Sequence, residues 1–171
     1  TSLVAELLEL SRLESGRVKL DVEPFQLSPL VTEVLSRFQK SAHSKEIKLD
    51  ASVSKDLPDL VGERRKIRQV LVNLIDNALR FTPENGKVEV SAEQTNESIM
   101  VRVSDSGPGI APEHLPHVFE RFYKVDRSRH EGGTGLGLAI VRHIILAHSG
   151  DVSVDSEVGK GAHFTFTLPV A

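Results

Sequence analysis

Apolar residues recur along Lys66–Pro83 at three- and four-residue steps. Ile67, Val70, Leu71, Leu74, Ile75, Ala78 and Leu79 fall on one side of a predicted helix. Pro83 ends it, because the residue before a proline is already biased out of the helical region. The other face carries Gln69, Asn73, Asn77 and Arg80. At about 100° per residue these side chains align in one narrow stripe. Asn is a mediocre helix former, since its side chain competes for backbone hydrogen bonds. Two Asn one turn apart, with a fixed cation a turn further on, can offer amide oxygens to a hard metal ion and a guanidinium to phosphate. The alternative is a solvated helix face, which the helix taken alone favours.

The remaining pattern alternates helices and strands. Leu3, Leu7, Leu10 and Leu13, with Val4 and Leu8, make a wide apolar stripe up to Glu14, with no cap at its start and Ser15-Gly16 at its end. A stripe that wide asks for a partner helix, as at the end of a helical hairpin or coiled coil; packing on its own domain is the alternative. Val18–Phe25 reads as a strand, and Ser28-Pro29 as N-cap and first residue of a helix that turns Leu30, Val34, Leu35 and Phe38 inward. Ile47–Val53 alternates as a strand, and Asp56–Gly62 reads as a loop. Gly86–Thr95 and Ser98–Asp105 read as paired strands turning at Asn96-Glu97, with Val88, Val90 and Ala92 facing Ile99, Val101 and Val103. Pro112–Arg121 reads as a short helix. Leu138–His148 reads as another, with Leu138, Val141, Ile144 and Ile145 inward and Gly150 as its terminal glycine. A hairpin of Asp151–Asp155 and Ala162–Leu168 closes the chain. This order predicts an α/β fold, a two-layer α/β sandwich of a mixed β-sheet with helices on one face. The irregular stretch Ser106–Thr134 is long for a compact domain, and long ordered loops are usually binding loops or lids.

Composition narrows the picture. The 171 residues, net charge −3 and 39% hydrophobic content fit one globular domain with a small appendage. Basic residues are scattered, so no nucleic acid partner is expected. The chain has no cysteine, which removes disulfides, thiolate metal sites and a cysteine nucleophile. No apolar run approaches a membrane span, and the opening residues do not read as a signal peptide.

Two stretches carry candidate chemistry besides the helix stripe. Asp105 ends a strand directly before Ser106-Gly107-Pro108-Gly109. A carboxylate there can accept a hydrogen bond from an exocyclic amine, and the glycines let backbone approach a flat ring; Asp-Ser-Gly as simple turn chemistry is the alternative. Gly132–Gly137 runs straight into a helix, where free N–H groups and the positive dipole end make an anion site. It is neither a P-loop nor a dinucleotide fingerprint, because the Lys-Ser/Thr pair is absent and Leu138 stands where the third glycine belongs. A metal-and-phosphate helix face, a carboxylate for an amine-bearing ring and a phosphate loop together describe a Mg-nucleotide site. A lone acceptor favours ATP over GTP. His114, His117, His143 and His148 lack metal-ligand spacing and are expected to be structural or exposed.

These motifs resemble, in order and at family spacing, the four boxes of the catalytic ATP-binding domain of bacterial sensor histidine kinases, the Bergerat-fold ATPases. Asn73–Pro83 is similar to the N box, Asp105–Gly109 to the first glycine box, Phe119–Phe122 to the F box and Gly133–Gly137 to the second glycine box. Leu7–Gly16 resembles the end of the dimerisation hairpin's second helix. The resemblance implies residues 1–16 as the end of that helix and residues 17–171 as the catalytic domain. It implies ATP and Mg²⁺ as cofactors, with Asn77 and Asn73 on the metal and Asn73, Arg80 and Arg121 assigned to the transfer step. Phe81, Asp105, Gly107, Gly109, Ile110, Tyr123, Lys124, Gly133, Thr134, Gly135, Leu136, Gly137 and Thr165 complete the implied nucleotide-binding set, and Arg127 is a second candidate for the γ-phosphate. Arg80 stands where the family usually has Lys, so phosphate would meet a fork in place of a point charge.

The implied reaction moves the γ-phosphoryl group to a histidine on the hairpin, for relay to a response regulator receiver domain. That histidine is expected upstream of Thr1. The near-match His130-Glu-Gly-Gly-Thr134 lacks the motif's proline and reads as coincidence. The parent protein is expected to be a cytoplasmic or membrane-anchored homodimer, and this stretch a monomer inactive in autophosphorylation alone. Chaperone-, gyrase- or mismatch-repair-type ATPases, an anti-sigma-type serine kinase, and a nucleotide-sensing scaffold are the competing readings. The ATPases would offer a Glu near Asn73 to activate water.

Overall fold

The computed structural model describes residues 2–125 and 133–171. The candidate Arg127 and the His130-Glu131-Gly132 stretch lie outside them.

A five-stranded mixed sheet forms one layer. Its strands are β2 (Lys48–Ser52), β4 (Lys87–Thr95), β5 (Ser98–Asp105), β6 (Val152–Ser156) and β7 (Ala162–Pro169), in the order β2-β4-β5-β7-β6. Only β2 and β4 run parallel; the other pairs are antiparallel. Helices α2 (Leu27–Ser44), α3 (Arg64–Phe81) and α4 (Gly137–Ala147) cover one face. Strand parity shows the covered side. Ile99, Val101 and Val103 on β5 and Ala162, Phe164, Phe166 and Leu168 on β7 are buried, whereas Arg102 and Thr165 alternate to the outer side. The sandwich is therefore two-layered, as the element order predicts. Turn residue Asn96 takes a left-handed φ of 48°, and Val90 faces Val103 and Ala92 faces Val101 in the expected register.

α3 lies at the centre. All seven of its expected apolar residues are buried, from Ile67 to Leu79, and each of the six Leu, Ile and Val side chains contributes about 1.5–3 kcal/mol on removal from water. Its C-terminal carbonyls are capped from outside the helix. Lys45 Nζ, at the end of α2, donates to Leu79 O (2.6 Å) and Thr82 O (3.3 Å).

Several local expectations change. α1 (Leu3–Glu14) is capped after all, since Ser2 Oγ accepts the Ala5 N–H. Its apolar stripe divides: Leu10 and Leu13 are buried where α1 packs on α4, and Leu3, Val4, Leu7 and Leu8 are exposed. Of Val18–Phe25 only β1 (Glu23–Phe25) is strand. It pairs with β3 (Leu60–Gly62), inside the expected loop, because fully buried Leu60 is drawn against Phe25. α2 begins at Leu27, whose burial carries the start one residue beyond the expected cap; Pro29 still falls in the first turn, where its missing N–H costs nothing. Pro112–Arg121 yields only the 3₁₀ turn Leu115–His117, with Pro116 inside it. Beyond α4 the left-handed residue is Ser149 (φ 60°), and Gly150 instead packs tightly against the Thr167 carbonyl.

Candidate functional site

The polar stripe of α3 is not a solvated face. Gln69, Asn73, Asn77 and Arg80 are all half-buried; Gln69 reaches α1, and Asn73 and Arg80 reach the glycine loop that opens α4. Asn73 Nδ2 donates to Gly137 O (3.2 Å), which joins the stripe to the first residue of α4 and leaves Oδ1 to face another group. Asn77 follows one turn later on the same stripe. Arg80 pairs with Asp76 at 2.6 Å, an i,i+4 contact. Its guanidinium occupies the space a Cβ on Gly133 would take, and Gly133 has φ +104°. The positive φ restricts that position to glycine, while the Arg80 tip could shift aside.

The loop Gly133–Gly137 is held from several sides. Thr134 Oγ1 accepts the Leu136 N–H (3.2 Å) and donates to Glu6 of α1. Gly135 O accepts the Phe122 N–H (2.9 Å), and its φ of +78° against the Phe122 backbone leaves no room for a side chain. Leu136 is fully buried, so the loop is anchored in the core directly before α4 begins. Backbone N–H groups at a helix start are natural donors to an anion.

Asp105 lies at the opposite end of the site. It continues the inward parity of Val101 and Val103, pairs in register with Val88 and Ala162, and is only half-buried where the strand ends. Desolvation raises its pKa above the usual carboxylate value of 3.8, partly offset by hydrogen bonds from the backbone of Gly107 and Ala162 and by the nearby His163. Gly107 N–H donates to Oδ1 at 2.9 Å, and the Phe81 carbonyl packs against Gly107. The first glycine box thus touches the end of the α3 motif. Ile110 is half-buried, and its N–H donates to Ser156 Oγ (2.8 Å). Phe81 is exposed beside this corner.

The structure does not gather every expected residue. Thr165 sits on the outer face of β7, where Arg102 Nε reaches its hydroxyl (3.4 Å), with the sheet between it and the helices. Arg121 is engaged by Glu14 of α1 (2.5 Å), which His143 also approaches (3.6 Å). Tyr123 bonds to His114, and Lys124 is exposed. His148 is structural, as expected: its Nε2 accepts the Glu63 N–H (3.0 Å), so the proton resides on Nδ1, which donates to Ile144 O (2.7 Å). Residues not foreseen are Asp76, whose i,i+4 spacing to Arg80 was the available signal, and Glu6 and Glu9 of α1. Glu9 accepts from Gln69 (2.8 Å) and lies 3.5 Å from Lys66. No local sequence signal connects α1 to residues so far along the chain.

Comparison with known proteins places the arrangement. The family model described as histidine kinase-, DNA gyrase B- and HSP90-like ATPase matches residues 62–171. The chain belongs to this family. It is 37% identical over 169 residues to the adaptive-response sensory kinase SasA of Gloeothece citriformis (strain PCC 7424), covering 98% of this chain and 43% of that protein. It is 38% identical to the sensor histidine kinase RppB of Synechocystis sp. (strain ATCC 27184 / PCC 6803 / Kazusa), covering 99% of this chain and 38% of the relative. The chain thus spans about two fifths of such relatives. Among solved structures it resembles full-length ShkA in complex with AMPPNP, at TM-score 0.89 and 35% identity over 99% of this chain and 35% of that one. It also resembles the catalytic domain of histidine kinase ThkA, at TM-score 0.77 and 32% identity over 90% and 97% of the two chains. ThkA in complex with the response regulator protein TrrA matches at TM-score 0.77 and 27% identity, over 98% of this chain and 48% of that one.

Proposed function

We propose that this chain is the ATP-binding catalytic domain of a sensor histidine kinase, delivering the γ-phosphoryl group of Mg-ATP to a histidine on the dimerisation hairpin. Residues 17–171 form that domain, and residues 1–16 close the hairpin's second helix. From the phosphohistidine the group passes to a response regulator receiver domain, and the parent protein acts as a homodimer with this domain on the cytoplasmic side. Among the described residues no helix is long and apolar enough to cross a membrane. The observation that carries the reading is the junction of Asn73 with Gly137 and of Arg80 with Gly133, which sets a cation and amide oxygens against a glycine loop at a helix start. The sensor kinases among the relatives, and the AMPPNP bound by full-length ShkA, support it.

The residues fit a magnesium ion. Among the described residues Asn73 Oδ1 is left without a protein partner by the Nδ2 contact to Gly137, and Asn77 follows one turn later, so two hard amide oxygens stand on one stripe. Mg²⁺ favours this arrangement: one or two protein oxygens, with phosphates and waters completing the octahedron. Asn77 and Asn73 would hold it, and it would supply charge neutralisation on the phosphates. Asp105 accepts the adenine amine, and Gly107 and Gly109 let backbone lie against the ring. The amides of Gly135 and Gly137 and the Arg80 fork donate to phosphate oxygens. Such transfer rests on positioning and charge stabilisation rather than on covalent chemistry by the protein. Asn stands at position 73, where the hydrolysing ATPases would offer a Glu to activate water, and this favours transfer over hydrolysis.

The test supplies the acceptor. A hairpin domain bearing the histidine is mixed with this chain and γ-labelled ATP. Acid-labile, alkali-stable label on the hairpin is expected; label that appears only as free phosphate would overturn the transfer reading.

A further inference from the structure

Two histidines outside the nucleotide contacts converge on one site residue. Tyr123 Oη lies 2.5 Å from His114 Nδ1, and the His117 ring stacks on the Tyr123 ring with centroids 5.4 Å apart and planes at 29°. His117 is itself fixed by Glu120 at 2.8 Å. The segment is rooted in the core, since Val118 is buried and Phe119 meets Phe164 of β7 edge-on. The preceding residue, Phe122, has φ 60°, uncommon for a side chain of that size, and its N–H donates to Gly135 O. Conformations of this kind persist only where the surroundings over-determine them. Here the surroundings are the held Tyr123 ring on one side and the Gly135 carbonyl on the other.

We propose that His114 is a positioning residue. By fixing the Tyr123 hydroxyl, with His117 stacked on the ring, it holds the Phe122 backbone against Gly135 and so sets the shape of the glycine loop that receives phosphate. The phosphate part rests on the nucleotide reading above; the linkage from His114 to the loop does not. A phenol can donate to a ring nitrogen or accept from it, so the contact serves either imidazole tautomer.

The test uses the full chain with His114→Ala, Tyr123→Phe, their double variant and His114→Asn, whose amide sits about where Nδ1 does. Amide NMR spectra without nucleotide are expected to show the same shifts at Gly135, Leu136 and Gly137 in the first three variants and near-parent positions in His114→Asn. In titrations with a non-hydrolysable ATP analogue, each single variant is expected to lose roughly three- to tenfold in affinity, the range of one neutral hydrogen bond. The double variant should lose no more than either single, with His114→Asn largely restored. Unmoved loop amides, or losses that add instead of coinciding, would overturn the proposal. A parent chain that binds no nucleotide would sink the nucleotide reading alone, because the apo spectra still decide the linkage.

Discussion

Asp105 occupies an inward-facing strand position that its neighbours Val101 and Val103 fill with apolar side chains. Its folded-state pKa is raised, so its ionisation opposes folding: stability is greatest below the ordinary value of 3.8 and is lost as pH rises through the folded value. Asp105→Asn removes that cost while its oxygen still accepts the Gly107 N–H. The variant should therefore melt at or above the parent temperature at pH 7, with the difference shrinking as pH falls toward 3.8 in thermal scans. The same change should weaken ATP binding sharply and erase preference over GTP. Lower stability together with unchanged selectivity would refute the adenine role. Asn77→Ala should abolish Mg-dependent nucleotide binding and leave the circular dichroism spectrum intact. Asp105 and Asn77 stand out in the sequence because Asp and Asn occupy positions where pattern alone would place other residues. Thr165 was misplaced because the resemblance gives a position but not a strand parity, and parity puts its side chain on the outer face.

Elements with strong periodicity were read closely. α3, the β4–β5 pair and the β6–β7 hairpin match because many residues share one pattern and fixed turns end it. Three-residue strands do not announce themselves: β1 and β3 exist only because each supplies the other's partner. Pro116 accounts for the lost helix near Phe119, and an apolar residue before a plausible cap shifted the start of α2. The capping of α3 by Lys45 was equally hidden, since the lysine comes from the preceding helix. Lys45→Met should cost about 1.5–3 kcal/mol, the range for hydrogen bonds from a charged donor, read as a lower urea midpoint with unchanged slope. No change in midpoint would mean that water serves those carbonyls as well.

Across the whole molecule, α1 lies on α4 and reaches the site through Glu6, Glu9 and Glu14. The parallel pairing of β2 with β4 and this long-range docking depend on three-dimensional closure, which no local pattern encodes. In the function proposed above, the α3 stripe, the glycine loop and Asp105 form one Mg-nucleotide site. Calorimetric titration with a non-hydrolysable ATP analogue, with and without Mg²⁺ and beside its GTP counterpart, tests it most directly. Micromolar binding of the ATP analogue, about −8 kcal/mol, that needs Mg²⁺ and exceeds binding of the GTP analogue is the predicted result. No binding, or binding indifferent to both Mg²⁺ and the base, would contradict it.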